Sequence, residues 1–236
     1  MNQESTSTPA PVQTQQPATV QTVNPWITSP EDQKDIIFPR AKIFQGTPSE
    51  FEQYPNAKHG MIINHITGEE LKGQFLPFLK FKQYAKFNSR NSSDPSFDKT
   101  KDPGALIWIT TDHNDPRVAE TQFGESGERP TAIEFMNFMS IFDGQEFPIV
   151  VPFAKTSYKT GKRLLSMLAM STGVFKRKFK LSTLKQQKDG MTFYIFEVAM
   201  GDAATPEESA KAAELYAKFS SKSHEIKTGQ DKVDWE

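Results

Sequence analysis

The chain has 236 residues, whose 28 basic and 29 acidic side chains give a formal net charge of −1. It contains no cysteine, which excludes disulfides, cysteine-ligated metal centres and thiol nucleophiles and fits a reducing compartment. No stretch approaches the ~18 apolar residues of a membrane-spanning helix, and residues 1–24 lack the basic and apolar regions of a signal peptide. We therefore expect a soluble, cytoplasmic protein.

The two ends of the chain differ in composition from the rest. Residues 1–24 consist mainly of Gln, Thr, Pro, Ser, Val and Ala, which predicts a disordered, low-complexity tail. Residues 222–236 predict a flexible acidic tail that ends in Asp234-Trp235-Glu236. Between them, residues 25–221 are expected to form one folded domain.

The first half of that domain reads as short strands. Alternating or continuous apolar runs bounded by turn residues predict four of them, at 36–44, 61–66, 74–87 and 105–110. Pro39 would keep the first strand at a sheet edge. The fourth strand is apolar enough to be buried on both faces, and a Ser/Asn/Asp/Pro loop precedes it at 88–104.

The second half predicts helices and strands in alternation. Thr131 and Glu134 have the spacing of a capping box ahead of an apolar run, which predicts a helix ending at Phe142. A strand at 148–153 and a helix at 157–170 follow, with Leu164, Leu165 and Leu168 on the buried side of the helix.

The last elements are a hairpin and a helix. Residues 174–184 and 191–200 predict two strands joined across the turn at 188–190. Thr205 and Pro206 then predict the start of a helix that reaches about residue 221. Its predicted buried side is Ala210, Ala213, Leu215 and Ala217. Because short strands outnumber helices, we expect a mainly β fold of the α+β type: a β-barrel or OB-like domain with peripheral helices.

The near-neutral total conceals a strongly polarised chain. Residues 155–188 hold ten basic side chains and no acid. Residues 102–154 hold nine acids and two arginines (net −7), and residues 189–236 hold ten acids and five lysines (net −5). Such polarity bears on partners and association rather than on fold.

Strand alternation sorts the lysines onto two faces. Successive side chains of a strand point to opposite sides of the sheet. In residues 78–87, one side carries Leu79, Phe81, Ala85 and Phe87, and the other carries Phe78, Lys80, Lys82, Tyr84 and Lys86. In residues 174–181, one side carries Phe175, Phe179 and Leu181, and the other carries Lys176, Lys178 and Lys180.

Two such basic faces predict a groove that follows the phosphates of a nucleic-acid single strand. Proteins of this kind combine a basic groove with aromatic rings on which bases stack. The expected phosphate contacts are Lys80, Lys82, Lys86, Lys176, Arg177, Lys178 and Lys180, with a second rim of Lys159, Lys162 and Arg163. The expected stacking rings are Tyr84 and Trp108. The alternative interpretation is that the lysines solvate the outer face of a half-buried sheet and protect its edges.

Candidate catalytic and metal-binding residues are sparse. The four histidines lack metal-ligand spacing, and a polar turn before Pro116 explains Asp112, His113 and Asp115 better than a metal site does. We therefore expect a protein that is not an enzyme and needs no metal or cofactor.

Several short segments resemble tailed-phage single-stranded DNA-binding proteins. They are Phe38-Pro39-Arg40-Ala41-Lys42-Ile43-Phe44-Gln45-Gly46, the run from Gly60 to Glu69, the strand 75–87, and Pro152-Phe153-Ala154-Lys155-Thr156-Ser157 with the basic and Phe193-Tyr194 strands that follow. The resemblance covers most of residues 36–221. It implies an OB-like fold, single-stranded DNA as partner, a role in phage DNA replication or recombination, and a location in the host cytoplasm. Many members carry cysteine pairs for zinc, but residues 88–130 have no cysteine, so no metal site is carried over.

The charge pattern also fits a second class of protein. A virion or replisome scaffold would use the lysine faces to meet an acidic surface, including that of a second copy of the chain in a homo-oligomer. In either class the acidic C-terminal tail is a candidate contact for replication proteins.

Overall fold

A computed structural model describes residues 36–94, 96–171, 173–188 and 190–221. Both predicted tails lie outside these residues. The described elements are β1 (Ala41–Ile43), α1 (Pro48–Gln53), β2 (Ile62–Asn64), β3 (Gln74–Phe87), β4 (Leu106–Thr110), β5 (Ile133–Phe142), β6 (Ile149–Ala154), α2 (Tyr158–Ala169), β7 (Arg177–Lys188), β8 (Met191–Ala203) and α3 (Pro206–Phe219). Two 3₁₀ turns, at Pro116–Thr121 and Lys155–Ser157, complete them.

Six of the strands form one antiparallel sheet in the order β6-β5-β3-β7-β8, with β4 also paired to β3. The prediction of a mainly β fold with peripheral helices is confirmed. The sheet is open, however, and does not close into the predicted barrel. β1 and β2 form a separate small antiparallel sheet. No helix in the described part of the chain is long and apolar enough to cross a membrane.

β5 replaces the helix predicted from the capping-box spacing of Thr131 and Glu134, and that prediction is wrong. All six residues from Phe135 to Ser140 are buried, because β5 lies between β3 and β6 and is covered on both faces. A strand buried on both faces is a nearly continuous apolar run, which periodicity alone does not distinguish from a buried helix. Glu134 caps no helix and instead points towards β3, where it meets Lys82.

Helices cover the two faces of the sheet, which we call the α2 face and the α3 face. On the α2 face, Phe75, Phe138 and Phe153 pack in one cluster with Leu164 of α2. Gly161 lets α2 approach closely, since a Cβ there would lie 2.7 Å from the Cβ of Phe153. On the α3 face, a second cluster contains Leu76, Leu79, Phe81, Met139, Val150 and Ala212.

α3 begins where the sequence predicts. The Thr205 side chain accepts a hydrogen bond from the backbone N–H of Glu208, and the Glu208 side chain accepts one from the N–H of Thr205. The predicted buried side is wrong for Ala210, Ala213 and Ala217, which are exposed, and right for Leu215. The helix packs through Ser209, Ala212, Leu215 and Phe219.

The N-terminal unit attaches to the outer edge of β8. The side chain of Gln45 forms two hydrogen bonds with the backbone of Tyr194, at 2.8 and 2.9 Å, as a neighbouring strand would. Nearby, the buried carboxylate of Glu50 accepts hydrogen bonds from the backbone N–H groups of Gln45, Gly46 and Thr47 and lies 3.1 Å from the Lys42 ammonium. β1 is shorter than the strand predicted at 36–44, and the short helix α1, which the sequence did not indicate, follows it.

Candidate nucleic-acid interface

The basic face of β3 exists and lies on the α2 face of the sheet. Lys80, Lys82 and Tyr84 stand opposite Phe138, Met136 and Glu134 of β5, and directly opposite residues share a face. Phe78 departs from the predicted alternation. The register shifts between Pro77 and Leu79, and Phe78 packs with Leu79 and Phe81 in the cluster of the α3 face. One extra residue in a strand reverses the side on which the following residues lie.

The three lysines of this face differ in how far they are neutralised. Lys82 lies 2.5 Å from a Glu134 oxygen, and Lys86 lies 2.7 Å from Glu120. The hydrogen bond to Glu134 raises the pKa of Lys82 above its usual value. Lys80 is exposed and makes no ion pair with another described residue. Lys80 is therefore the cation of this face most available to a ligand.

Glu134 also links β3 to α2. The Tyr158 hydroxyl donates a hydrogen bond of 2.6 Å to Glu134, and the Lys162 ammonium lies 5.3 Å from the centre of the Tyr158 ring. Burial and the Glu134 contact raise the pKa of Tyr158 to about 12. Burial alone would raise the pKa of Glu134, but hydrogen bonds from Lys82 and Tyr158 outweigh it and lower that pKa.

The second basic segment is divided in the same way. The Lys178 ammonium lies 3.1 Å from Asp143 and 2.9 Å from Glu208, and its side chain is 13 % exposed. Lys176 and Lys180 are exposed and have no ion pair among the described residues. The guanidinium of Arg177 donates to the carbonyl of Gly201 at 3.3 Å.

Phe175 does not lie on the same side as Phe179, as strand alternation predicted. It sits in a turn before β7 with a φ of 57° and packs against Tyr216 of α3, at 5.7 Å between ring centres. Phe179 lies in the cluster on the α2 face, near Phe75. The chain is not extended at Phe175, so the alternation of a strand does not apply there.

The predicted second rim on α2 separates into two directions. Lys162 follows Tyr158 by one turn and shares its side of the helix, towards β3. Arg163 turns to β8 and lies 3.6 Å from Glu197. Lys159 is exposed, one residue after Tyr158 and so about 100° around the helix from it.

The two predicted stacking rings are placed differently. Tyr84 is 2 % exposed, and its hydroxyl lies 3.1 Å from Nδ1 of His113. Its ring faces are covered by protein, so Tyr84 offers no platform for a base in this structure. Trp108 stands opposite Lys86 and is half-buried, with the Arg117 guanidinium 5.2 Å from its ring centre. β4 is therefore not buried on both faces as predicted.

A groove brings residues of both basic segments together. It has a volume of about 360 Å³ and lies between β3, the C-terminal half of α2 and the residues that lead into β7. We call it the basic groove and define it by its three cations, Lys80, Lys176 and Arg177, and its apolar walls, Phe78, Leu165, Leu168, Val174 and Phe175. The sequence indicated the three cations as phosphate contacts and placed Leu165, Leu168 and Phe175 on the apolar sides of their elements, but it did not indicate that these residues line a groove. The apolar pair Val174-Phe175 directly before Lys176 is the signal that could have indicated it.

The candidate metal ligands form a turn. Asp112 accepts a hydrogen bond from the backbone of Asn114, and Asp115 holds Arg117 at 2.6 Å and caps the 3₁₀ turn Pro116–Thr121. Within the described ranges, no group of three or more His, Asp or Glu side chains is arranged to hold a metal ion.

The chain matches a known protein family. A family model described as "Pam3 phage gp34-like protein" matches residues 12–227, which is most of the chain. No curated protein and no solved structure matches the chain.

Proposed function

The chain belongs to the Pam3 phage gp34-like protein family, and we propose that this phage protein is a non-catalytic, largely sequence-independent single-stranded DNA-binding protein. It would act in phage DNA replication or recombination. The basic groove is the proposed site, with Lys162 and Lys82 extending it along β3.

One observation carries the proposal: the fold assembles cations from distant parts of the sequence around one apolar groove. Lys80 comes from β3, whereas Lys176 and Arg177 come from the point where the chain enters β7, almost a hundred residues later. No carboxylate lines the groove among the described residues. A basic groove with apolar or aromatic surface at its base is the combination that single-strand binders use.

The fold also supports the salt-sensitive binding expected of such a protein. Each phosphate that a lysine or arginine neutralises releases counterions from the nucleic acid. Lys80 and Lys176 are exposed and unpaired within the described chain, so they reach a phosphate without first breaking an ion pair.

Fluorescence anisotropy with labelled oligo-dT and a matched duplex, across a salt series, tests the proposal. We expect tight, salt-dependent binding to the single strand and weak binding to the duplex. Lys80→Glu and Lys176→Glu should each weaken oligo-dT binding by about tenfold or more at low salt. Lys188→Glu is the matched control, because it makes the same charge change on an exposed lysine at the far end of β7.

If the protein binds neither oligonucleotide at low salt, the proposal fails. It also fails if Lys188→Glu weakens binding as much as Lys176→Glu does, because the groove would then have no special role.

The scaffold function has one observation in its favour. At the far end of the hairpin, Leu184 and Met191 are exposed beside Lys185 and Lys188, which make no ion pair with another described residue. An acidic surface of a second copy would fit such an end. Size-exclusion mass measured against salt separates the two functions: salt-reversible oligomers that Lys188→Glu abolishes, without DNA binding, would favour the scaffold.

A further inference from the structure

The walls of the basic groove carry an inference that rests on the proposed function. We infer that the groove takes up an unpaired nucleobase of the bound strand, while Lys80, Lys176 and Arg177 hold the phosphates on either side of that base. The ligand of this site is therefore a single-stranded nucleotide segment with its base turned inwards, rather than a phosphate backbone alone.

The groove exists because two neighbouring strands separate. β3 and β7 pair only at Gln74↔Lys180 and Phe75↔Phe179. Just beyond these pairs each strand has an irregularity: β3 shifts register between Pro77 and Leu79, and β7 does so between Arg177 and Phe179. Just before β7 the chain is not extended at Phe175, whose φ is 57°. The two irregularities lie at the same level of the sheet and open a gap between the strands.

The gap is lined mainly by apolar groups. Residues 77–80 of β3 form one wall, where Phe78 and Leu79 pack mainly on the α3 face and are 3 % and 8 % exposed, and Leu165 and Leu168 of α2 lie across it. Val174 is 73 % exposed at the entrance, although it is a β-branched apolar residue next to two cations. Phosphate contacts alone need no such surface, whereas a base that covers it removes apolar area from water.

The size and the charge of the groove favour a base over other occupants. A volume of about 360 Å³ lies at the lower end of the range for sites that enclose small organic ligands. In a duplex the bases are stacked and paired inside the helix, so only a single strand presents a free base. An apolar peptide side chain would fit the walls but would leave the three cations without anionic partners.

The lining predicts little discrimination among bases. Among the described residues that line the groove there is no Asn, Gln, Asp or Glu side chain, the groups that pair with the edges of adenine and cytosine, and its three cations, which could pair with guanine, are assigned to the phosphates. Oligo-dT, oligo-dC and oligo-dA should therefore bind within about tenfold of one another.

A comparison of oligo-dT with a fully abasic strand of the same length tests the inference, because both strands carry the same phosphates. We expect the wild-type protein to bind oligo-dT at least about tenfold more tightly, in line with ~1–3 kcal/mol for the stacking of one base. Val174→Ser should reduce oligo-dT affinity by about threefold to tenfold and leave abasic binding unchanged. Lys176→Ala should weaken both strands by the same factor. Thermal unfolding checks that the two variants, both at exposed positions, remain folded.

The outcomes separate this inference from the proposed function. Equal binding of both strands by the wild-type protein overturns base uptake and leaves DNA binding standing. A preference for oligo-dT that Val174→Ser does not reduce overturns the groove as the base site. If neither strand binds, both proposals fail. If an acidic peptide with an apolar side chain displaces oligo-dT, binds more tightly than oligo-dT does and loses affinity in Val174→Ser, the groove is a peptide site.

Discussion

At the scale of the residue, the sequence shows which side chains carry charge, but their neighbours decide which charges are available. Residues 155–188 contain no acid, yet acids from elsewhere reach this segment. Asp143 and Glu208 hold Lys178, and Glu197 lies beside Arg163. Exposed ion pairs contribute little to stability, but each one reduces the positive potential that a phosphate would meet.

Glu134→Gln should increase the affinity for single-stranded DNA. The change removes the carboxylate beside Lys82, while the amide oxygen still accepts the hydrogen bond from Tyr158. We expect about threefold to tenfold tighter oligo-dT binding at low salt and a smaller gain as salt screens the charges. Anisotropy titrations measure both. Glu197→Gln is the control, because its partner Arg163 points to β8. Unchanged oligo-dT binding by Glu134→Gln would show that Lys82 does not take part in binding.

His65 should make the stability depend on pH. Burial, together with the nearby Arg40 and Lys42 charges, lowers the pKa of His65 from 6.5 to about 4. The unfolded chain therefore binds a proton at a higher pH than the folded chain. The contribution of His65 to the free energy of unfolding is fully present above pH 6.5 and is lost as the pH falls towards 4. The loss is less than the ~3 kcal/mol that a shift of this size would give in a fully buried group, because the ring is only half-buried and solvent screens it.

Urea unfolding at several pH values between 7 and 4 measures this loss. In His65→Gln the side-chain oxygen can still accept the hydrogen bond from the backbone N–H of Arg40, and the decline between pH 6.5 and 4 should become shallower. An identical decline in wild type and variant would assign the pH dependence to other groups.

At the scale of the element, sequence signals located most segments and sometimes mistook their type. β3 has the predicted limits of 74 and 87, and α3 has the predicted cap. β5 shows the limit of such signals, because the Thr131 and Glu134 spacing is common and the strand has the apolar content of a buried helix. α3 shows another limit: its alanines fall on every side, so hydrophobicity does not identify the buried stripe.

The observed stripe of α3 predicts opposite results for two neighbouring alanines. Ala212 is fully buried against the sheet, whereas Ala210 is exposed. Ala212→Lys would bury a charged side chain and should lower the free energy of unfolding by about 3 kcal/mol or more. Ala210→Lys should change it by less than about 0.5 kcal/mol. Urea unfolding of the pair measures the difference, and the reverse order would mean that the helix packs through its predicted side.

At the scale of the whole molecule, an open sheet with one separated pair of strands positions the basic groove. β5 pairs along most of one edge of β3, while β7 and β4 take opposite ends of the other edge. The middle of that second edge has no strand partner among the described residues, and the groove begins there. The site thus depends on how three elements meet and not on any single motif.

The salt dependence of binding should report how many cations the groove supplies. For a single strand the log–log slope is about −0.7 per phosphate contacted. Combining Lys80→Ala, Lys176→Ala and Arg177→Ala removes three cations, so the magnitude of the slope should fall by about 2. Lys185→Ala combined with Lys188→Ala should leave the slope unchanged. An unaltered slope in the triple variant would place the phosphates elsewhere on the surface.

The sequence alone determined the mainly β class, the two basic segments, the alternation that places Lys80, Lys82 and Tyr84 on one face, and the N-cap of α3. These features depend on local periodicity and on contacts within a few residues, which a sequence displays directly. Only the tertiary structure decided that Tyr84 is buried, that distant carboxylates occupy Lys82 and Lys178, and that Lys80 and Lys176 share an apolar groove. Those features depend on strand order, on register shifts and on the distance between segments far apart in the chain, and no local pattern encodes them.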